Sequence, residues 1–170
     1  MAMRTLLELF EAQKTIVGKP RWDIRDSMWF CLSCSLDIDG VTIEGLELKG
    51  GASQSLPDRA VRFHLQYAPS NKPCIGLARA EWRPTKTHTN RNFEPLPFAR
   101  ISASHIHRFE HNWMPELQKM RKGDLPVAVP IKPDPRSYLE FVEFVAKEFR
   151  IGGLESVGRP SWFEADLFGV

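Results

Sequence analysis

The stretch Met28–Asp39 constrains this chain more than any other. Phe30, Leu32, Cys34, Leu36 and Ile38 alternate with Trp29, Cys31, Ser33, Ser35 and Asp37. A sustained period of two reads as a β-strand with one apolar and one mixed face. Asp39-Gly40 follows, a pair suited to a type I′ turn because both central residues must take positive φ. The chain therefore folds back, and Val41–Lys49 is the return strand. Its apolar parity changes at Gly45, from Val41 and Ile43 to Leu46 and Leu48, which predicts a β-bulge there.

Two more runs extend the pattern. Ala60–Tyr67 turns Val61, Phe63, Leu65 and Tyr67 inward and Arg62, His64 and Gln66 outward, and Cys74–Trp82 alternates more weakly. Gly50–Asp58 and Pro69–Pro73 are the loops between them. Four strands with short connections predict an antiparallel meander. Thr5-Leu-Leu-Glu8 is a capping box opening a short helix to about Lys14, with Leu6, Leu7 and Phe10 buried. Met114–Met120 predicts a short helix, and proline-bracketed Val127–Ile131 an edge strand. Asp134-Pro135 suits the N-cap and first position of a helix, Tyr138, Phe141, Val142, Val145 and Phe149 recur at helical spacing, and Gly152-Gly153 ends it. Leu154–Val170 keeps Trp162, Phe163, Leu167 and Phe168 and is expected to pack. The expected fold is α+β in a single domain, residues 1–170. It has an antiparallel β-sheet of about five strands, the C-terminal helix Asp134–Ile151 packed on one face, and the N-terminal helix at an edge.

Composition narrows the function classes. A formal net charge of +2 is too small to demand an acidic partner. No apolar run approaches the roughly 18 residues of a membrane helix, and Glu8 interrupts the first apolar stretch, so neither a membrane nor a signal peptide is expected. Three cysteines, an odd number, argue for a reducing compartment and a cytoplasmic protein. Cys31-Leu-Ser-Cys34 has CxxC spacing, but on a strand the two thiols point to opposite faces. Cys34 therefore reads as a small, inert, buried hydrophobe.

Candidate chemistry concentrates in Arg100–Asn112, Arg-Ile-Ser-Ala-Ser-His-Ile-His-Arg-Phe-Glu-His-Asn, which holds three of the five histidines. If Ser104–His111 is extended, His105, His107, Phe109 and His111 share one face, the first two roughly 7 Å apart along the strand. Paired imidazoles can serve as acid and base in metal-independent RNA cleavage, with Arg100 or Arg108 holding phosphate. His105 and His107 are thus the catalytic candidates, and Arg100, Arg108, His88, Arg91 and His111 the substrate-binding ones. With His88 and His111 the same pair could hold zinc or another divalent ion. No Cys cluster or paired acid completes a metal pattern, so no metal and no cofactor is expected. A polar strand face whose histidines hydrogen-bond to neighbours fits the same spacing. The polar loop Thr85–Pro97 precedes this stretch, and Thr85–Arg91 is either a run of phosphate-compatible side chains or a solvated connection. Asp37 with Glu47-Leu-Lys49 resembles the layout of PD-(D/E)xK nucleases, in which acids hold a metal and the lysine steadies the attacking water or the phosphate.

The His-Thr-Asn segment at 88–90, the Ser-His-Ile-His-Arg run at 104–108 and the aromatic C-terminal helix are together similar to small bacterial and phage proteins of unassigned function. The His-x-His run after a short basic loop also resembles some histidine-rich toxins of toxin–antitoxin modules. The similarity spans residues 79–151, and His105-x-His107 is its specific element. It implies a toxin, phage-defence or mobile-element role. The expected function is a small protein that binds nucleic acid or a nucleotide, ribonuclease-like in its boldest form, with RNA or a nucleotide as partner. The alternative is a non-catalytic interaction factor of phage or mobile-element origin, with a protein partner.

Overall fold

A computed structural model describes residues 4–90 and 99–162. Helix α1 (Leu6–Glu11) opens on the expected capping box: Thr5 Oγ1 accepts from the Glu8 amide at 3.2 Å, and the Glu8 carboxylate accepts from the Thr5 amide at 2.6 Å. The helix stops at Glu11 rather than Lys14, and it buries Leu9 while Leu7 stays exposed. Lys14 explains the early stop. It begins strand β1 (Lys14–Ile16), and its Nζ turns back to donate to the carbonyls of Leu9, Phe10 and Ala12 at 3.2, 2.7 and 2.6 Å. The ammonium thereby satisfies carbonyls that a helix end leaves unpaired.

The rest of the chain forms β2 (Asp23–Ile24), β3 (Trp29–Ile38), β4 (Val41–Ser53), β5 (Val61–Tyr67), β6 (Ile75–Trp82), β7 (His88–Thr89), β8 (Arg100–Ile101) and β9 (His105–His107). Then come α2 (Phe109–Asn112), β10 (Trp113–Met114), β11 (Lys119–Met120), β12 (Val129–Pro130), α3 (Tyr138–Phe149) and β13 (Ile151–Gly152). Among the described residues the main sheet has nine strands, where about five were expected. Its order is β12-β9-β6-β5-β4-β3-β1-β13, with β2 also on β3. The meander β3–β6 is antiparallel as expected. The edge strand expected over Val127–Ile131 is β12; the strands that were not expected, β1, β2 and β13, are two or three residues long, too short to show a hydrophobic period.

Alternation on β3 holds throughout: Phe30, Leu32, Cys34, Leu36 and Ile38 are all buried. Asp39 and Gly40 take φ of 54° and 75°, as a type I′ turn requires. The β3–β4 ladder jumps from Ser35–Glu47 to Asp37–Thr42, and Gly45 lies inside that irregularity at φ +79°. Strand β4 runs through Gly50 and Gly51 to Ser53, where a loop was expected. These two glycines serve close approach rather than a turn: a Cβ on Gly50 would lie 2.8 Å from the Trp22 ring, and one on Gly51 3.0 Å from Arg62.

Helix α3 covers the apolar face of the sheet through Tyr138, Phe141, Val142, Val145 and Phe149. Phe141 packs 5.9 Å from the Trp82 ring and 5.8 Å from Phe63. Its N-cap is Ser137, not Asp134, and Pro135 instead presents its carbonyl to Trp82 Nε1 at 2.8 Å. Arg150, in the left-handed region, ends the helix before the glycine pair, because Ile151 must already pair with Lys14 in the sheet. In place of a helix over Met114–Met120 there is a single 3₁₀ turn, Pro115–Leu117, between β10 and β11. Leu154, Val157 and Trp162 of the tail are buried; Phe163, Leu167 and Phe168 lie outside the described residues. Among the described residues no helix is long and apolar enough to cross a membrane.

Candidate functional site

The face of the sheet opposite α3 is polar. Its cross-strand rows follow from the ladder. One row runs Ser33–Lys49–His64–Arg79–His107, and the next Cys31–Gly51–Arg62–Glu81–His105. The expectation that His105 and His107 share a strand face holds for β9, with Ile106 directed to the core between them. The extension to His111 does not hold. The chain turns into α2 at Phe109, so His111 sits on a helical turn away from the pair's ladder, and its backbone carbonyl accepts from Arg121.

His88 joins the pair from β7. One ring nitrogen from each of His88, His105 and His107 lies within 4.8 Å of the others. The ring centroids are 4.6 to 5.4 Å apart. His105 and His107 are almost fully buried, and His88 is half-buried. Carbonyls set the tautomers, since a carbonyl can only accept. His105 Nδ1 donates to Ala103 at 3.0 Å, and His107 Nδ1 donates to Leu125 at 2.6 Å. Both Nε2 atoms therefore carry lone pairs. That of His107 accepts from Arg79 Nη2 at 3.1 Å; that of His105 has no hydrogen-bond partner among the described residues. His88 Nε2 faces two acceptors, Asn90 Oδ1 at 3.0 Å and the Pro126 carbonyl at 3.1 Å, so it carries the proton and leaves Nδ1 as the lone-pair nitrogen.

Two buried asparagines hold the segment that supplies two of these carbonyls, those of Leu125 and Pro126. Asn90 donates to the Ala128 carbonyl at 2.7 Å and accepts from its amide at 2.9 Å. Asn112 does the same for Val127, at 2.9 Å each way, and also donates to Arg108 O at 2.8 Å. Just upstream, Gly123, Asp124 and Leu125 all take positive φ, of 101°, 52° and 60°. For the two non-glycine residues this costs on the order of 1–2 kcal/mol each. The strained turn directs the Leu125 carbonyl to His107 and brings Asp124 Oδ2 within 3.1 Å of Arg79 Nη1. Gly76 makes room for it: a Cβ there would meet His64 Nε2 at 2.7 Å and Asp124 Oδ1 at 3.0 Å.

Arg79 is the hub between the histidines and the open face. Its Nε lies 3.1 Å from Glu81 Oε1, and that oxygen stands 3.9 Å from His105 Nε2 and 3.8 Å from His107 Nε2. Burial is the main cause that lowers the pKa of His105, and it also lowers His64 although Asp124 opposes it. For His107 burial comes first, and the positive charge of Arg79 adds to it, pushing the imidazole down to about 2. The pair is thus neutral at ordinary pH and supplies lone pairs rather than an acid. Beyond Arg79 a cleft of about 820 Å³ opens along the sheet, lined among others by Arg25, Trp29, Lys49, Arg62 and His64. The Arg62 guanidinium lies 5.4 Å from the Trp29 ring, and Lys49 pairs with Glu47 at 2.9 Å and Ser33 at 2.7 Å.

The remaining sequence candidates are dispersed. Arg108 ion-pairs with Glu148 of α3, on the side away from the histidines. Arg100 is exposed on β8 opposite Thr89. Arg91 lies outside the described residues. Glu47 neighbours Ser35 and Gln66 in the ladder, whereas Asp37 neighbours Thr42 and Thr15. Among the described residues these acids belong to no group of three or more His, Cys, Asp or Glu side chains close enough to share an ion; the three histidines form such a group. Sequence reasoning missed Arg79, Glu81 and Asp124, and it placed Asn90 and Asn112 in the candidate stretches without their role in holding the 127–128 backbone. The polar parity of Arg79 and Glu81 between Ala78, Ala80 and Trp82 was a usable signal for the first two. No protein-family model matches the chain, and no curated protein and no solved structure matches it either.

Proposed function

We propose that this chain binds nucleic acid or a nucleotide, taking up phosphate on the polar face of the sheet. The observation that carries this reading is the cleft into which Arg25, Lys49, Arg62 and Arg79 are gathered beside Trp29. Guanidinium and ammonium groups are phosphate donors, and an indole is a stacking surface for a base. In this reading the phosphate contacts move from Arg100 and Arg108 to the cleft. His105 and His107 lie behind Arg79, buried from a substrate on the open face, so the proposal is for binding rather than for metal-independent RNA cleavage. A toxin, defence or mobile-element setting, implied by the His-x-His resemblance, is compatible with an RNA ligand.

The test is binding of labelled single-stranded RNA and of a purine nucleotide at low and moderate salt, with RNA integrity followed in parallel. Affinity should fall as salt rises, and Arg62→Ala should weaken binding and reduce the salt slope for RNA by about one. No binding by the wild-type chain at low salt removes the reading. A second reading, a protein-interaction factor, draws on Ile24 and Met28, which are 71% and 62% exposed near the cleft mouth. Large apolar side chains exposed together mark interaction surfaces. If nucleic acid does not bind, that reading takes its place.

A further inference from the structure

His105 Nε2 is a lone-pair nitrogen on a residue 1% exposed, with no hydrogen-bond partner among the described residues. Buried polar atoms are nearly always satisfied, so an orphan needs a reason. Its near neighbours are two more imidazoles and a carboxylate oxygen at 3.9 Å, which are themselves metal-ligand groups. We propose that His88, His105 and His107 bind a divalent transition-metal ion of the zinc class, with Glu81 as the fourth ligand.

The first support is how the donors are supplied. The i, i+2 spacing on β9 brings two imidazoles to one face, β7 brings the third, and the ladder sets Glu81 directly beside His105. Imidazole and carboxylate together suit zinc and its neighbours in the first transition row.

The second support lies behind the ligands. A metal-bound histidine usually donates its other N–H to a carbonyl or carboxylate, which fixes the ring and frees the ligating nitrogen. All three rings already do this, to the carbonyls of Ala103, Leu125 and Pro126. The assignment that follows is Nε2 for His105 and His107 and Nδ1 for His88. Asn112 anchors Val127, which follows the Pro126 carbonyl, and Asn90 anchors Ala128 one residue further on; both become positioning residues for the site.

Geometry and charge allow the ion, at the expense of two contacts of Arg79, Nη2 to His107 and Nε to Glu81 Oε1. Zinc–nitrogen bonds of about 2.0–2.1 Å put tetrahedral donors roughly 3.4 Å apart. Nitrogens within 4.8 Å of one another therefore close by at most about 1.4 Å, reached by rotating the rings about their hydrogen-bonded far nitrogens. Arg79 Nη2, now 3.1 Å from His107 Nε2, must leave, and Asp124 is placed to receive the guanidinium. Arg79 is thus a built-in competitor: it holds the cation's place in the metal-free protein and weakens the site without blocking it.

The experiment uses the full chain stripped with chelator, then titrated with zinc alone against a chromophoric chelator, and with cobalt(II) for its ligand-field bands. One ion per chain, with the intense visible bands of four-coordinate cobalt, is expected. His88→Asn, a change at the half-buried ligand, should lower affinity about tenfold or more while the circular dichroism stays that of the wild type. Arg79→Gln should tighten binding. Folded chain that takes up less than about a tenth of an equivalent overturns the proposal, as does binding unchanged in His88→Asn. Affinity unchanged in Arg79→Gln overturns the competing role given to that residue. No nucleic acid enters the assay, so failure here leaves the phosphate-binding reading standing.

Discussion

Asn112→Ala tests the carbonyl scaffold most directly. The side chain makes three hydrogen bonds, to the amide and carbonyl of Val127 and to the carbonyl of Arg108, all between 2.8 and 2.9 Å. Asn112 is 0% and Val127 1% exposed, so water does not replace what is lost. At about 0.5–1.5 kcal/mol net per bond, the loss comes to roughly 1.5–4.5 kcal/mol; the orphaned buried Val127 amide argues for the upper half. For a chain of this length, about 3 kcal/mol lowers Tm by roughly 6–12 °C. Urea unfolding followed by circular dichroism reads the stability, and amide hydrogen exchange reads the local effect at Val127. A loss below about 1 kcal/mol, with Val127 still protected as in the wild type, would refute the claim that this asparagine holds the segment in place.

Phe141→Ala removes a ring that is 0% exposed and stacked on Trp82, so it should cost about 3–5 kcal/mol in a denaturant titration. Burial pushes the Cys34 thiol up to about 11, and Cys74 is exposed. A thiol reagent at neutral pH should therefore modify Cys74 and leave Cys34 intact until the chain unfolds. Burial, then the charge of Arg150, lowers the Lys14 ammonium to about 7. The unfolded chain thus holds one more proton than the folded one between about pH 7 and 10.5, and folding gains stability as pH rises through that window, by at most ~1.4 kcal/mol per unit. Measured against Lys14→Met, the wild type should gain over that range; a flat difference would mean that the three carbonyls keep the ammonium charged. Gly45→Ala should destabilise strongly in the same titration, since its Cβ would fall 2.2 Å from the Ala68 carbonyl oxygen at φ +79°.

The legible parts of the fold were those in which local pattern and burial agree. The β3 alternation, the Asp39-Gly40 turn and the α3 stripe each needed only a period and a terminator. The helix start at Ser137 was hidden by the stronger-looking Asp134-Pro135, whose backbone serves Trp82 instead. The histidine pair was legible from its i, i+2 spacing and His88 was named beside it, whereas His111, named with it, does not join and the hub was not legible. His88 reaches the pair only because β7 and β8 fold together, and Arg79 and Glu81 matter only because β9 docks beside β6. The carbonyls that fix the rings come from a backbone that no side-chain pattern encodes, held by asparagines distant from it in sequence.

The parallel pairing of Lys14 with Ile151 has a kinetic side. The meander from Trp29 to Trp82 needs only neighbouring strands, and hairpins close in microseconds. Joining β1 to β13 closes a loop of more than a hundred residues, which costs several kcal/mol of chain entropy before any contact rewards it. The edge that carries Lys14 is therefore expected to close after the meander, and refolding compared with Lys14→Met should differ only in the later phase.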